Sequence, residues 1–168
     1  MKSKRARDHF ANRLRSHTKP SLINIGDDMS TPFTLVTTIG RPFAQALDTA
    51  RAALADQGFG IITEIDLAGL LKEKIDVEVP PQVIIGACRP ELAHLAIQAE
   101  PAIATVLPCN VVVREADDNS CMIEAFDPNA MMRISDSETL KNIADDARVR
   151  LVAALASMTN AAHESQEN

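Results

Sequence analysis

The sequence predicts an α+β domain: a mostly antiparallel sheet with two main helices on one face and short helices in two of the connections. Two observations support this class. The chain has 168 residues, of which 46% are hydrophobic and 24% charged, so one domain can bury a sizeable core. Runs of strand-like and helix-like residues follow one another as strand, helix, strand, short helix, strand, helices, hairpin and long helix.

The first strand and the first main helix open the domain near Pro32. Residues 33–39 are rich in Thr and β-branched side chains, which favours a strand. Apolar residues then recur at helical spacing over residues 43–54, after Pro42, which is tolerated in a first helical turn. Gly58 lies just past the end of this helix, where glycine is favoured.

A second strand and a short helix follow. Residues 59–65 read as the strand, and Asp66 is a good N-cap for a helix over Leu67–Ile75. A connector with two prolines leads to the apolar run 83–87, which predicts the third strand. The short helix therefore lies between the second and third strands.

Two short helices separate the third strand from a hairpin. Pro90 opens a helix that runs to about residue 100, and Pro101 starts a second helical stretch over residues 102–107. Residues 110–116 and 121–126 predict the hairpin strands, joined by a polar turn.

The second main helix ends the domain. Residues 127–135 predict a loop, and the spacing of Ser135 and Glu138 has the form of a capping box. A long apolar stripe then predicts a helix over residues 137–158. We expect a basic arm over residues 1–31, one domain over 32–159 and a polar tail over 160–168.

The outer face of the predicted sheet is also apolar. One face must meet the helices, yet Val112, Met122 and Phe126 fall on the other face because successive strand residues alternate. We therefore expect a homodimer that forms through this open sheet face.

The charge is distributed unevenly. The net charge is -6, but residues 1–20 hold seven basic residues against one acidic residue, so the rest carries -12. An acidic body disfavours general nucleic-acid binding, whereas the arm suits an acidic partner. Aromatic residues make up 3%, which predicts an aliphatic core without a base-stacking platform.

The cysteine count and the lack of long apolar runs favour the cytoplasm. Three cysteines without paired spacing imply no disulfide framework and fit a reducing compartment. No apolar run predicts a transmembrane helix, and the basic start lacks the apolar region of a secretory signal.

Two cysteines and a histidine form the first candidate site. Cys88 precedes a helix N-terminus, whose dipole favours thiolate, His94 lies about one turn into that helix, and Cys109 precedes the next strand. Together they suit a soft metal such as Cu or Zn, or the two thiols form a redox pair. The alternative is that both cysteines are small buried hydrophobes and His94 is structural.

Five further polar residues are candidates. Glu64 and Asp66 flank one residue on a strand, so they form an acid–base pair, or Asp66 only caps the helix. Glu100 before Pro101 is a similar case. Glu124 either lines a pocket on the open sheet face or is exposed, and Asn110 holds the turn before its strand by hydrogen bonding.

Four residue strings in order resemble the bacterial and archaeal family called domain of unknown function 302. The resemblance covers roughly residues 34–158. The strings are Gly58-Phe59-Gly60 with Thr63-Glu64-Ile65-Asp66; Ala87-Cys88-Arg89-Pro90-x-x-Ala93-His94; Leu107-Pro108-Cys109-Asn110-Val111-Val112-Val113; and Asp127-Pro128 with Met131.

The resemblance implies a fold similar to the TATA-binding-protein class, of β-α-β4-α type and often dimeric. A shared fold does not imply DNA binding, and the family has no established activity. The position after Cys88 is typically Asn in the family and is Arg89 here, which removes any role of an Asn side chain.

Three functions remain open from sequence. The leading interpretation is a domain that binds a small ligand or soft metal at the Cys88/His94/Cys109 region. The first alternative is a thiol-dependent enzyme or redox protein that uses Cys88 and Cys109. The second is a homodimeric structural or interaction module. The sequence contains no phosphate-binding glycine loop and no catalytic triad order, which argues against nucleotide-using and triad enzymes and leaves other enzyme classes open.

Overall fold

Five antiparallel strands form one sheet in the computed structural model, which describes residues 31–133 and 135–164. The strands are β1 (Thr34–Ile39), β2 (Gly60–Asp66), β3 (Gln82–Cys88), β4 (Cys109–Asp117) and β5 (Ser120–Phe126). The α-helices are α1 (Phe43–Asp56), α2 (Leu67–Ile75), α3 (Pro90–Ala99) and α4 (Glu138–Glu164). Two 3-10 helices span Pro101–Val106 and Pro128–Arg133. The predicted α+β class is confirmed.

The strand order is β1-β5-β4-β3-β2. Strands β2 to β5 are neighbours both in sequence and in the sheet, whereas β1 pairs with β5 at the far edge, Thr34 opposite Phe126. Helix α1 therefore connects the two edge strands, and it packs against β5, β4 and β2 on its way.

The core lies between the sheet and the two main helices. Alanines on both helices, such as Ala50 and Ala154, are fully buried, which lets α1 and α4 pack against each other and the sheet. Alternate strand residues such as Ile85, Val111 and Ile123 face them. Phe59 is the one aromatic side chain among the buried residues of this core cluster, in keeping with the aliphatic core that the composition predicts.

The other face of the sheet carries a row of mostly apolar residues. Val36, Glu124, Val112, Ile84 and Ile65 are successive cross-strand partners over all five strands. None of them belongs to the core cluster that packs against α1 and α4. The sequence-based expectation of an outer face with apolar residues thus agrees with the register.

The turn after α1 is built by glycine. Gly58 has φ of +79°, and its N–H donates to the Ala55 carbonyl at 2.8 Å while Phe59 N–H donates to the Leu54 carbonyl at 3.0 Å. This is the pattern of a Schellman C-cap, in which glycine accepts the left-handed conformation without steric penalty. The predicted role of Gly58 is confirmed.

Local structure differs from the sequence prediction at four places. The predicted helix over residues 102–107 is a 3-10 helix over Pro101–Val106, and the predicted loop after β5 contains a second one. Helix α4 continues past residue 158 to Glu164. Ser137, not Ser135, accepts a hydrogen bond from the Leu140 N–H at 3.4 Å, so the predicted capping box is wrong.

Residues 1–30 lie outside the described residues, and the prediction of a basic arm falls on them. Across residues 31–133 and 135–164, no helix combines the length and the hydropathy needed to cross a bilayer.

Candidate functional site

An apolar cavity lies where the ends of β3 and β4 meet α3, α4 and both 3-10 helices. Its volume is about 40 Å³. The residues that line it are Phe59, Ala87, Cys88, Arg89, Leu92, Ala93, Ala96, Ile103, Leu107, Cys109, Pro128, Met131, Leu140, Ile143, Ala144 and Ala147. Nearly every one of these side chains is apolar, so the cavity has the lining of a small-molecule site with few polar groups.

Strand register brings the two predicted cysteines together. Cys88 ends β3 and Cys109 begins β4, and the residue before Cys88, Ala87, pairs directly with Cys109. Their Cα atoms therefore lie on the order of 6 Å apart, given strand spacing and rise. Both residues are half-buried, both are free thiols and both line the cavity.

The thiols are held in the protonated form. Burial raises the pKa of Cys88, and the nearby Glu91 carboxylate raises it further. Burial, helped by the neighbouring Cys88, raises the pKa of Cys109 to about 11. The expectation that the helix dipole favours a thiolate at Cys88 therefore disagrees with its raised pKa, for which burial is the main cause.

His94 does not join the cysteines. Its side chain lies on an exposed face of α3 and is absent from the cavity wall. Within residues 31–133 and 135–164, no three His, Cys, Asp or Glu side chains converge as metal ligands do. The geometry thus gives the predicted Cys88/His94/Cys109 metal set no support.

Glu64 and Asp66 have separate partners. Both Glu64 carboxylate oxygens accept from Arg51 on α1, at 2.7 and 2.6 Å, and this guanidinium lowers the pKa of Glu64. Asp66 Oδ1 accepts from the Gly69 N–H at 2.9 Å and caps α2. Asp66 therefore caps the helix, as one of the two alternatives predicted, and the two carboxylates do not form an acid–base pair.

The same residues line a larger, open cleft of about 520 Å³ between α1, α2 and the chain before β3. Its size falls in the range of ligand pockets. However, the Arg51 guanidinium and the Glu64 carboxylate already satisfy each other, which leaves less for a ligand to bind.

The remaining three candidates lie away from the cavity. Glu100 Oε1 accepts from the Ala102 N–H at 3.3 Å and caps the first 3-10 helix. Glu124 on β5 pairs with Arg114 at 2.7 Å on the open sheet face. Asn110 is exposed, opposite Gly86 on β3, and its predicted hydrogen bonding to the turn before its strand stays a prediction.

A family model described as domain of unknown function DUF302 matches residues 35–158, most of the chain. The chain belongs to the DUF302 family. A crystal structure of an uncharacterized conserved DUF302 protein from Bacillus stearothermophilus has the same fold, with a TM-score of 0.69 and 24% sequence identity. That match covers 75% of this chain and 98% of the other. No curated protein matches the chain.

All four strings of the DUF302 resemblance reach the cavity. Phe59 comes from the first string, Cys88 from the second, Cys109 from the third, and Pro128 with Met131 from the fourth. Residues far apart in the chain thus meet at one site, although the sequence singled out only its cysteines.

Sequence reasoning missed two parts of the cavity wall. The first is Arg89, which stands out in the sequence only as a departure from the DUF302 pattern. The second is the α4 side of the wall, which includes Leu140 and Ala144 and which the sequence predicts only as a stripe of core residues. The signal available was the small residue Ala144 within that stripe, since alanine next to a gap leaves space. Without the sheet order, however, nothing in the sequence indicates that α4 faces the end of β3.

Proposed function

We propose that this DUF302 domain binds a small, mostly apolar ligand in the cavity at the ends of β3 and β4. One observation carries the proposal: the four strings typical of the family, separated along the chain, all contribute to one apolar wall. Residues that serve only packing have no reason to converge on a gap, because unfilled volume in a core destabilises the fold.

The volume limits the ligand. About 40 Å³ exceeds the space that one water molecule needs, roughly 10–15 Å³. It is well below the roughly 300–1,000 Å³ of pockets that hold drug-sized molecules. The ligand is therefore a molecule of a few heavy atoms, or the apolar end of a longer one. An apolar cavity of this kind stays dry, so such a ligand displaces no bound water.

The cysteines fit this function better than thiol chemistry. Protonated thiols with raised pKa values are poor nucleophiles and poor metal ligands at neutral pH, because the thiolate is the reactive form. A protonated cysteine is instead a small, polarisable apolar wall residue. The thiol-enzyme and soft-metal interpretations therefore rank below ligand binding.

The variant Ala144→Val tests the proposal, because Ala144 is fully buried on α4 and lines the cavity. In the wild type, n-butanol should shift the NMR signals of cavity methyl groups. In Ala144→Val, the added methyl groups should occupy the cavity and abolish these shifts. Filling about 40 Å³ should also stabilise the fold by about 1 kcal/mol relative to a variant with the same loss of helix propensity, measured by chemical denaturation.

The matched control is Ala156→Val, on the exposed side of the same helix. It carries the same cost in helix propensity but should leave n-butanol binding unchanged. Undiminished n-butanol shifts in Ala144→Val would place the binding outside the cavity and refute the proposal.

We also infer a homodimer through the open sheet face. Its central row combines Val36, Val112, Ile84 and Ile65 with Glu124, whose charge is already paired with Arg114. Four of these five residues are half-buried and Ile65 is 44% exposed, and an apolar row left partly open favours a protein partner that removes it from water. The pairing of Glu124 keeps the row free of an uncompensated charge.

We also propose that the protein works in a reducing compartment, the cytoplasm. All three cysteines are free thiols, and Cys88 and Cys109 lie on neighbouring strands. Thiols persist in such an arrangement where the environment keeps them reduced.

A further inference from the structure

Arg89 supplies the charge in a cavity wall that is otherwise apolar. Among the described residues that line the cavity, it is the one with a charged side chain, and that side chain is 24% exposed. Arg89 stands between β3 and α3, and its side chain forms part of the cavity wall.

The neighbours of Arg89 hold its side chain in place but leave one of its hydrogen-bond donors without an acceptor. Nη1 donates to the Gln57 carbonyl at 3.3 Å, a long hydrogen bond. Nε is buried and has no hydrogen-bond partner, since the Glu91 carboxylate lies 3.7 Å away. A buried donor left without an acceptor is unfavourable, and this orphan is one of two such atoms among the described side chains.

The turn after α1 makes room for the guanidinium. A Cβ atom at Gly58 would lie 2.8 Å from Arg89 Nη1, closer than van der Waals contact allows. The glycine that ends α1 thus also lets Arg89 lie against this turn. The position of the side chain is fixed by the backbone on one side and by the cavity wall on the other.

We propose that the ligand of this cavity is a short-chain carboxylic acid whose carboxylate binds the Arg89 guanidinium while its alkyl part fills the apolar cavity. The inference rests on the proposed function and specifies its ligand class. A carboxylate provides two acceptor oxygens in the plane of the guanidinium, which matches the unsatisfied Nε and an adjacent N–H. A neutral alcohol offers one weaker acceptor, and an amine repels the guanidinium.

Glu91 competes for the same guanidinium. Its carboxylate is 74% exposed and forms a loose ion pair at 3.7 Å, so it is free to swing into solvent. A ligand carboxylate must displace this contact and also experiences repulsion from Glu91. Removal of that charge should therefore favour the acid ligand and leave a neutral ligand unaffected.

The experiment compares butyrate with n-butanol, which have similar alkyl chains and differ in charge. Binding is followed by NMR shifts of the methyl groups of Leu92, Ile103 and Leu140. The wild type should bind butyrate at least about tenfold more tightly than n-butanol, as expected for a charge-assisted hydrogen bond. Arg89→Met keeps a long apolar stem but loses the guanidinium, so it should remove this preference, and the two probes should bind with similar affinity.

Two further variants complete the design. Arg150→Met removes a guanidinium paired with Asp146 elsewhere on α4 and should change neither affinity. Glu91→Gln should tighten butyrate binding and leave n-butanol binding unchanged. It keeps the test decisive if Arg89→Met fails to fold, because Glu91 is exposed.

The outcomes separate the two proposals. Equal affinities for butyrate and n-butanol in the wild type would overturn the carboxylate inference and leave the proposed apolar site intact. If neither probe shifts the cavity methyl groups, the proposed function itself fails. Butyrate shifts that survive unchanged in Arg89→Met would assign the acid to another cation and overturn the inference.

Discussion

At the scale of single residues, burial decides the chemistry of the cysteines. The sequence places Cys88 at a helix N-terminus and thereby predicts a thiolate, but the fold surrounds it and Cys109 with apolar side chains. The pKa of both thiols is raised because a charged sulfur loses its hydration there. The helix dipole can be inferred from sequence neighbours, whereas the burial depends on residues distant in the chain, among them the α4 residues of the same cavity wall.

We predict that Cys109 makes the stability of the fold depend on alkaline pH. The native state holds the thiol proton more tightly than the unfolded chain, in which a cysteine has its ordinary pKa of 9.0. Between pH 9 and about 11 the unfolded state therefore ionises first, and stability falls as pH rises. Between pH 8 and 11, the free energy of unfolding of Cys109→Ala should fall by on the order of 2 kcal/mol less than that of the wild type, as measured by urea denaturation. Parallel pH profiles for the two proteins would contradict the raised pKa.

The candidate residues show how much of the site was predictable. Local roles could be inferred, because Asp66 and Gly58 act within a few residues of their own position. Roles that depend on a distant partner could not, as Glu64 bonds to Arg51 across two elements and Arg89 reaches the turn after α1. Sequence reasoning found the two cysteines of the cavity and missed its one charged group.

At the scale of elements, α2 is a helix that is only weakly attached to the fold. None of its residues is buried, and it contacts β2 and β3 at one edge of the sheet. Its stability therefore depends more on its ends than on packing. At its N-terminus the Asp66 side chain accepts from Gly69, and at its C-terminus Asp76 adopts a left-handed conformation with φ of 56°.

We predict that Asp66→Ala destabilises α2 locally by about 1 kcal/mol, because the helix loses its N-cap. Hydrogen exchange of the α2 amides should accelerate, while exchange in β3 and β4 stays at the wild-type rate. Asp66→Asn keeps a capping oxygen and should restore most of the protection. Equal acceleration in both variants would mean that the carboxylate charge matters and the cap does not.

Most element types could be predicted because their apolar spacing is long and regular, as in α1 and α4. The segment after β5 could not, since residues 128–133 lack such a pattern. There the turn is set by Asp127, which accepts from the Asn129 N–H at 2.9 Å and pairs with Arg148 on α4 at 3.0 Å. The helix in this contact starts about ten residues later, so the spacing of apolar residues around Asp127 does not indicate the contact.

At the scale of the whole molecule, the open sheet face is the surface through which we propose dimerisation. The prediction is that Val112→Glu, in the middle of the apolar row, converts the homodimer to monomer. A carboxylate there would be buried in the interface without a cation, since Arg114 is already paired with Glu124. Analytical ultracentrifugation at micromolar concentration measures the change.

The control variant is Val149→Glu on the opposite, helical side, where the side chain is 66% exposed. It should leave the oligomeric state unchanged. A wild-type protein that sediments as a monomer would refute the dimer without affecting the cavity proposal.

The strand order could not be predicted from the sequence. The hairpin from β4 to β5 follows from its polar turn, but the place of β1 next to β5 depends on contacts between residues that are distant in the chain, such as Thr34 and Phe126. The alternation of apolar residues indicates which side of a strand faces the core, but it does not indicate which strands are neighbours in the sheet. The similarity to the TATA-binding-protein class stays a prediction.

Helix α1 joins the two edge strands, so β1 pairs with β5, the strand that lies furthest from it in the chain. The loop that this pairing closes is the longest in the sheet, and closing a long loop costs more conformational entropy than closing a short one. The β4–β5 hairpin can therefore form early in folding, whereas β1 joins the sheet only once β5 is in place.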